Sequence, residues 1–263
     1  MTENTHTASK NVSVLNEAFF IPQLNRSRRI WLYLPEGYAT SKKRYPVLYM
    51  HDGQNLFDDA TSFSGEWGID ETLDAAGNAC IVVGIENGSL LRINEYNPND
   101  TEAHGKGEGF LYLDFIVKTL KPYVDKKLRT LSAKKYTIIA GSSMGGLISF
   151  YAGLLYPRVF GKMGIFSPAF WIVPGIDNQV EQLVKARGRS DQQYYFYGGG
   201  QENPTLVSDI SQMAALLQKK SGAKIAVKIN PEGWHNEVCW RKEFPAFYEW
   251  VTDSTKYTSC HTS

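Results

Sequence analysis

Residues 137–150, TIIAGSSMGGLISF, set two adjacent serines between glycines, after an apolar run and ahead of a helical pattern. A serine hydroxyl is a weak nucleophile at neutral pH. To attack a carbonyl it needs an exposed perch, a base to take its proton and donors for the oxyanion that forms. The strand-to-helix turn of a G-x-S-x-G motif supplies the perch. Gly141-Ser142-Ser143-Met144-Gly145 fits that spacing with Ser143 at the centre. Centring on Ser142 would put Ala140 and Met144 where the glycines belong. The competing reading is a small-residue turn that only packs a strand against a helix, a role Gly145 and Gly146 fill in either case.

In α/β-hydrolases the order along the chain is serine, then acid, then histidine. His235, in the loop of KIAVKINPEGWHNEVCW, stands after the last predicted strand and before the last helix, the position required of the base. His6 and His261 sit in polar termini, His104 in the long loop 86–108, and His51 at the end of an early strand. The acid must follow the strand QYYFY and hold the far nitrogen of the imidazole. Glu202, in GGGQENP, comes directly after that strand; Asp209 is the rival, inside the amphipathic pattern of the next helix. Oxyanion donors are expected from the backbone N–H of Met144 and of Gln54, where Gly53 lets the loop of YMHDGQNLF turn toward the substrate and His51 and Asp52 shape the turn.

The elements that must position these groups follow from hydrophobic pattern. VSVLNEAFFI and RRIWLYL read as opening strands, antiparallel and close in sequence. YPVLYM (45–50), CIVVGI (80–85), YTIIA (136–140), GKMGIFS (161–167), QYYFYG (193–198) and KIAVKI (224–229) are short apolar runs suited to strands buried on both faces. Helical periods lie between them: Phe110, Leu113, Ile116, Val117 and Leu120; about Leu147 to Tyr156; Leu206, Ile210, Met213 and Leu217. Phe244, Phe247, Tyr248 and Val251 give a last short helix, with Pro245 placed in its first turn. This alternation predicts an α/β fold: a mostly parallel central sheet, an antiparallel N-terminal edge and helices on both faces. Sites in such sheets lie at the carboxyl ends of strands, where every motif above falls.

Composition narrows the function classes. With 263 residues, 43% of them hydrophobic, the chain fits one α/β domain over 1–263, with 1–11 and 254–263 expected as flexible tails. Twenty-eight basic and 27 acidic side chains leave a formal charge of +1, which argues against nucleic acid as a partner. Cys80, Cys239 and Cys260 form no CxxC pair, and no metal or organic cofactor is called for. The opening MTENTHTASK has no apolar core, so the expectation is a soluble protein without a membrane anchor, cytoplasmic as written, or periplasmic or secreted if a signal was trimmed. Oligomeric state is left open.

YPVLYMHDGQNLF, VVGIENG with RINEYNP, AGSSMGGLISFYAGLLYPRVFGKMGIFSPAFW, YFYGGGQEN and GWHNEVCWRKEF together resemble the putative esterase family of α/β-hydrolases, from about Arg29 to Val251. That family includes esterase D, feruloyl and acetylxylan esterases, enterochelin esterases and mycolyltransferases. The resemblance implies the α/β-hydrolase fold, a triad of Ser143, Glu202 and His235, and oxyanion donors at Met144 and Gln54. Some members carry aspartate as the acid; glutamate here is similar to the mycolyltransferases. No insertion is long enough for a lid domain, so an open cleft bounded by the loop from Glu86 to Glu108 is expected. Trp67, Arg92, Trp171 and Trp234 are candidates for substrate contact, Arg92 alternatively pairing with Glu95. The implied activity is carboxylic-ester hydrolysis through an acyl-enzyme, on acyl or feruloyl esters of carbohydrates. Siderophore lactones and thioesters are the other substrate classes, acyl transfer by the same residues is the alternative reaction, and a non-catalytic binding module is the reading from a different class.

Overall fold

The computed structural model describes residues 6–77 and 80–252. The expected tail over 254–263, with Cys260 and His261, lies outside them, as do residues 1–5. The remainder of the expected N-terminal tail is tied down. His6 Nδ1 meets Asp58 Oδ2 at 2.7 Å, Thr7 Oγ1 donates to Glu66 at 2.6 Å, and Ser9 N–H donates to Asp70 Oδ2 at 2.7 Å. Polar composition predicts a free tail, but it is this polarity that lets the segment bond to a row of carboxylates.

Among the described residues eight strands form one sheet in the order β1-β2-β4-β3-β5-β6-β7-β8. They are β1 (Val12–Ile21), β2 (Arg26–Tyr33), β3 (Val47–His51), β4 (Ile81–Ile85), β5 (Thr137–Ser142), β6 (Lys162–Phe166), β7 (Gln193–Gly199) and β8 (Lys224–Asn230). The pairs β1/β2 and β2/β4 are antiparallel, and all others are parallel. Among the described residues eight helices accompany them: α1 (Ile69–Ala76), α2 (Arg92–Tyr96), α3 (Gly109–Phe115), α4 (Lys121–Lys127), α5 (Met144–Leu155), α6 (Ile176–Arg187), α7 (Leu206–Ser221) and α8 (Glu237–Thr252). A π turn over Ile116–Leu120 joins α3 to α4.

The inner strands carry continuous apolar runs because both faces of the sheet are covered. Alternate residues of one strand enter opposite cores. Val47, Tyr49 and Ile139 pack under α3 and α5 to α7, while Leu48, Met50 and Ile138 pack under α1 and α8. Gly164 in β6 belongs to the same logic, since a β-carbon there would lie 2.6 Å from the Phe247 ring.

The last helix begins earlier than the apolar period suggests. It starts at Glu237, so Pro245 lies in its interior rather than its first turn. Glu237 and Trp240 extend the buried stripe back from Phe244, and a buried glutamate at the head of the helix hides that extension from a hydrophobic pattern. Among the described residues no helix is long and apolar enough to cross a membrane, and none form a large lid.

Candidate active site

The ends of β5, β7, β8 and β3 assemble the site. β5 stops at Ser142, α5 starts at Met144, and Ser143 turns between them with φ 58° and ψ −119°. A residue with a β-carbon resists that conformation at a cost of about 1–3 kcal/mol, and it persists only where its surroundings fix it. Here Ser143 N–H donates to Phe166 O at 2.9 Å, and Ser143 O accepts from Leu147 N at 3.0 Å and Ala169 N at 3.1 Å. The glycines make this closeness possible: a β-carbon on Gly146 would stand 2.7 Å from Phe166 O. Ser142 is buried, whereas Ser143 is partly exposed to a cleft of about 950 Å³ that His235 also lines. Among the described residues the Ser143 hydroxyl has no hydrogen-bond partner.

Beyond β7 the chain turns back so that Glu202, its side chain 1% exposed, sits beneath the loop carrying His235. Glu202 Oε2 lies 2.6 Å from His235 Nδ1. Its other oxygen, Oε1, accepts from Gly199 N–H and from Ser167 Oγ, each at 2.6 Å. Ser167 in turn accepts from Trp240 Nε1 at 2.9 Å, and the Trp240 ring meets the His235 ring edge-on at 5.1 Å. The carboxylate is thus committed to Nδ1, which leaves Nε2 as the nitrogen free to serve the cleft. β7 and the histidine loop can approach this closely only without side chains, since a β-carbon on Gly199 would fall 2.3 Å from Gly233 O. Asp209 is elsewhere. It accepts from Thr205 Oγ1 at 2.8 Å in the first turn of α7 and lines a separate pocket of about 260 Å³.

The loop after β3 faces Ser143 from the other side. Asp52 adopts φ 57° and ψ 48°, turning the chain into a short 3-10 segment, Gly53–Asn55. A β-carbon at Gly53 would lie 2.8 Å from the backbone of Gly84, so only glycine lets this loop rest on β4. Among the described residues neither the Met144 nor the Gln54 backbone N–H has a protein acceptor. Arg92 holds Asp52 in a fork, Nε to Oδ1 at 2.6 Å and Nη2 to Oδ2 at 2.9 Å, and Asn87 Nδ2 adds a bond to Oδ1 at 2.7 Å. Burial alone would raise the Asp52 carboxyl, but the Arg92 charge and these hydrogen bonds outweigh it and hold the group below the usual carboxylate range. His51, buried behind the turn and bonded through Nδ1 to Tyr112, is pushed down to about 3 by burial and stays neutral.

Arg92 therefore lines the cleft with its charge already matched by Asp52, not by Glu95, which pairs with Arg26 and Arg28 instead. The three candidate tryptophans are dispersed. Trp67 is buried and stacked on Trp240 at 5.7 Å, a core position behind the site. Trp171 is exposed and lines the second pocket with Asp209; Trp234 is exposed beside His235 and is not among the residues lining the cleft. Polar groups line the cleft, among them Asn55, Glu86, Asn87 and Glu237, while Phe63 (91% exposed) and Leu90 (98% exposed) stand at its rim. Burial raises the Glu237 carboxyl above its ordinary range.

Ser167, Trp240, Asn87 and Glu237 escape sequence reasoning. Each acts through a partner distant in sequence, such as Trp240 with Ser167, and no local spacing marks such pairs.

The family model described as "Putative esterase" matches residues 21–250. An uncharacterised Bacillus subtilis protein, YbbA, is 30% identical over 257 residues, covering 88% of this chain and 95% of that one. An endo-1,4-beta-xylanase/feruloyl esterase of Xylanibacter ruminicola is 27% identical over 80% of this chain, which spans 27% of that larger protein. The crystal structure of an IroE-like serine hydrolase from Shewanella oneidensis superposes with a TM-score of 0.73 at 24% identity, over 91% of this chain and 78% of the other.

Proposed function

Because the chain belongs to the family described as "Putative esterase" and is a carboxylic ester hydrolase, we propose that it works through an acyl-enzyme on Ser143, with His235 as general base and Glu202 as the acid that orients it. The Ser143 oxygen attacks the ester carbonyl carbon while His235 Nε2 takes its proton. Negative charge gathers on the carbonyl oxygen, and the N–H groups of Met144 and Gln54 meet it. The intermediate collapses, the C–O bond to the alcohol breaks, and His235 returns the proton to the departing oxygen. Water then attacks the acyl-enzyme by the same route, releasing the acid and restoring Ser143. Throughout, Glu202 keeps Nδ1 protonated and offsets the charge of the imidazolium.

The observation that carries this reading is the 2.6 Å contact between a nearly inaccessible Glu202 carboxylate and His235 Nδ1, beside a cleft into which the strained Ser143 turn opens. We further assign the substrate to acyl or feruloyl esters of carbohydrates. The polar cleft floor suits hydroxyl groups, and the apolar rim of Phe63 and Leu90 suits an acyl or aromatic group. Labelling with a fluorophosphonate, followed by mass-spectrometric assignment, tests the nucleophile. Modification at Ser143 and loss of p-nitrophenyl acetate hydrolysis in Ser143→Ala are expected; a label elsewhere refutes the assignment. A hydrolysis panel of feruloylated and acetylated sugars against siderophore lactones and thioesters tests the substrate class. Product analysis with added alcohol acceptors separates hydrolysis from acyl transfer.

A further inference from the structure

The charges of the cleft are unevenly matched. Four charged side chains line it besides His235: Asp52, Glu86, Arg92 and Glu237. Arg92 is held by Asp52 in a two-point fork, so the cation is spent within the wall. Glu86 accepts from Trp31 Nε1 at 3.0 Å and reaches Arg29 at 3.5 Å, behind the cleft. Glu237 is 8% exposed, and among the described residues it forms no ion pair with lysine or arginine; its hydrogen-bond donors are its own backbone N–H and Asn55 Nδ2, the latter at 3.5 Å. A carboxylate withdrawn from water to this degree is costly unless a donor or cation meets it.

Its position says what that donor belongs to. Glu237 is two residues beyond His235 and faces the same cleft. In ester cleavage the histidine hands its proton to the departing alcohol, so the alcohol portion of the substrate lies against the histidine loop. We propose that Glu237 is a specificity-determining residue that accepts hydrogen bonds from the alcohol portion of the ester, favouring alcohols that carry hydroxyl donors or a cationic group and rejecting those that carry an anion. This rests on the Ser143–His235 reading of the site, which fixes where the alcohol sits. A sugar hydroxyl cluster satisfies it; an alcohol bearing a carboxylate, sulfonate or phosphate meets the Glu237 carboxylate in a lining where Arg92 is already bound to Asp52.

The test compares kcat/KM for three acetate esters by pH-stat at low ionic strength: acetylcholine, its uncharged isostere 3,3-dimethylbutyl acetate, and 3-sulfopropyl acetate. In the wild type, the cationic ester is expected to exceed the neutral one by about tenfold and the anionic ester to fall about tenfold below it, the scale of one partly solvated charge contact. In Glu237→Gln both ratios should contract to within about threefold, and in Glu237→Asp they should largely persist. Ratios are read within each variant, so a general loss of activity does not disturb them. Wild-type ratios near one, or ratios that survive Glu237→Gln unchanged, overturn the proposal. Hydrolysis of the neutral ester by the wild type and its loss in Ser143→Ala would, in that event, leave the catalytic reading standing; no hydrolysis of the neutral ester would fell both.

Discussion

On the proposed mechanism, replacing Glu202 by glutamine separates orientation of the base from packing. The amide can sit in two ways, and its neighbours choose between them. Oε1 receives two donors at 2.6 Å, the Gly199 N–H and the Ser167 hydroxyl. The backbone N–H can only donate, so it requires an acceptor at that position, and the Ser167 hydroxyl, which accepts from Trp240 Nε1, keeps its own proton to donate there. The carbonyl oxygen of glutamine must therefore take the Oε1 place, and its NH₂ must point at His235 Nδ1, 2.6 Å from the oxygen it replaces. Facing a donor, Nδ1 becomes the acceptor and the proton moves to Nε2, the wrong tautomer for taking a proton from Ser143. The comparable tautomer trap in a serine protease costs about 10⁴ in kcat, near 5.4 kcal/mol. A fall of about 10³–10⁴ in kcat for p-nitrophenyl acetate is expected, with the melting temperature close to wild type because every hydrogen bond is kept, the one to His235 with its direction reversed. Asp209→Asn, in the first turn of α7, should change kcat by less than about twofold. A loss under tenfold in Glu202→Gln, or an equal loss in Asp209→Asn, would refute the reasoning.

Other expectations follow from the same contacts. Arg92→Ala leaves the Asp52 carboxylate buried without its fork and should cost about 3–5 kcal/mol, read by chemical denaturation. Because the folded carboxyl of Asp52 is held below its unfolded value, its contribution is present above the ordinary carboxylate range and lost as pH falls through the folded value, so the difference between wild type and Arg92→Ala should shrink in acid. Asp70 has the opposite sign: burial raises its carboxyl, so folding stability declines as pH climbs above the ordinary carboxylate range, and Asp70→Asn should flatten that decline in a stability–pH profile. Gly146→Ala drives a methyl against Phe166 O at 2.7 Å and should destabilise by about 1–3 kcal/mol while lowering kcat, measured by thermal melting beside esterase assay.

Much of this protein is written locally. The runs at β3 to β7 announce strands buried on both faces, and their alternation with helical periods is enough for a parallel sheet, because a chain can satisfy such segments in few other ways. Gly141-Ser142-Ser143-Met144-Gly145 is local too: a turn with φ 58° at the serine needs small neighbours, and the glycines that meet the need are adjacent in sequence. Glu202 and His235 are legible because each follows a strand, and strands of one sheet deliver their ends to one edge. The N-terminal segment from His6 to Asn11 and the start of α8 at Glu237 are not, since polar residues that bind or bury themselves look like surface. Only the tertiary structure decided which charges cancel and which rings face the cleft. Sequence offers Arg92 to Glu95 three positions on, yet the guanidinium reaches Asp52, forty residues back, because α2 crosses over the loop that follows β3. Trp67 goes to the core and Ser167 comes to Glu202 for the same reason: strand order fixes which distant residues are neighbours, and the chain holds no local record of that order.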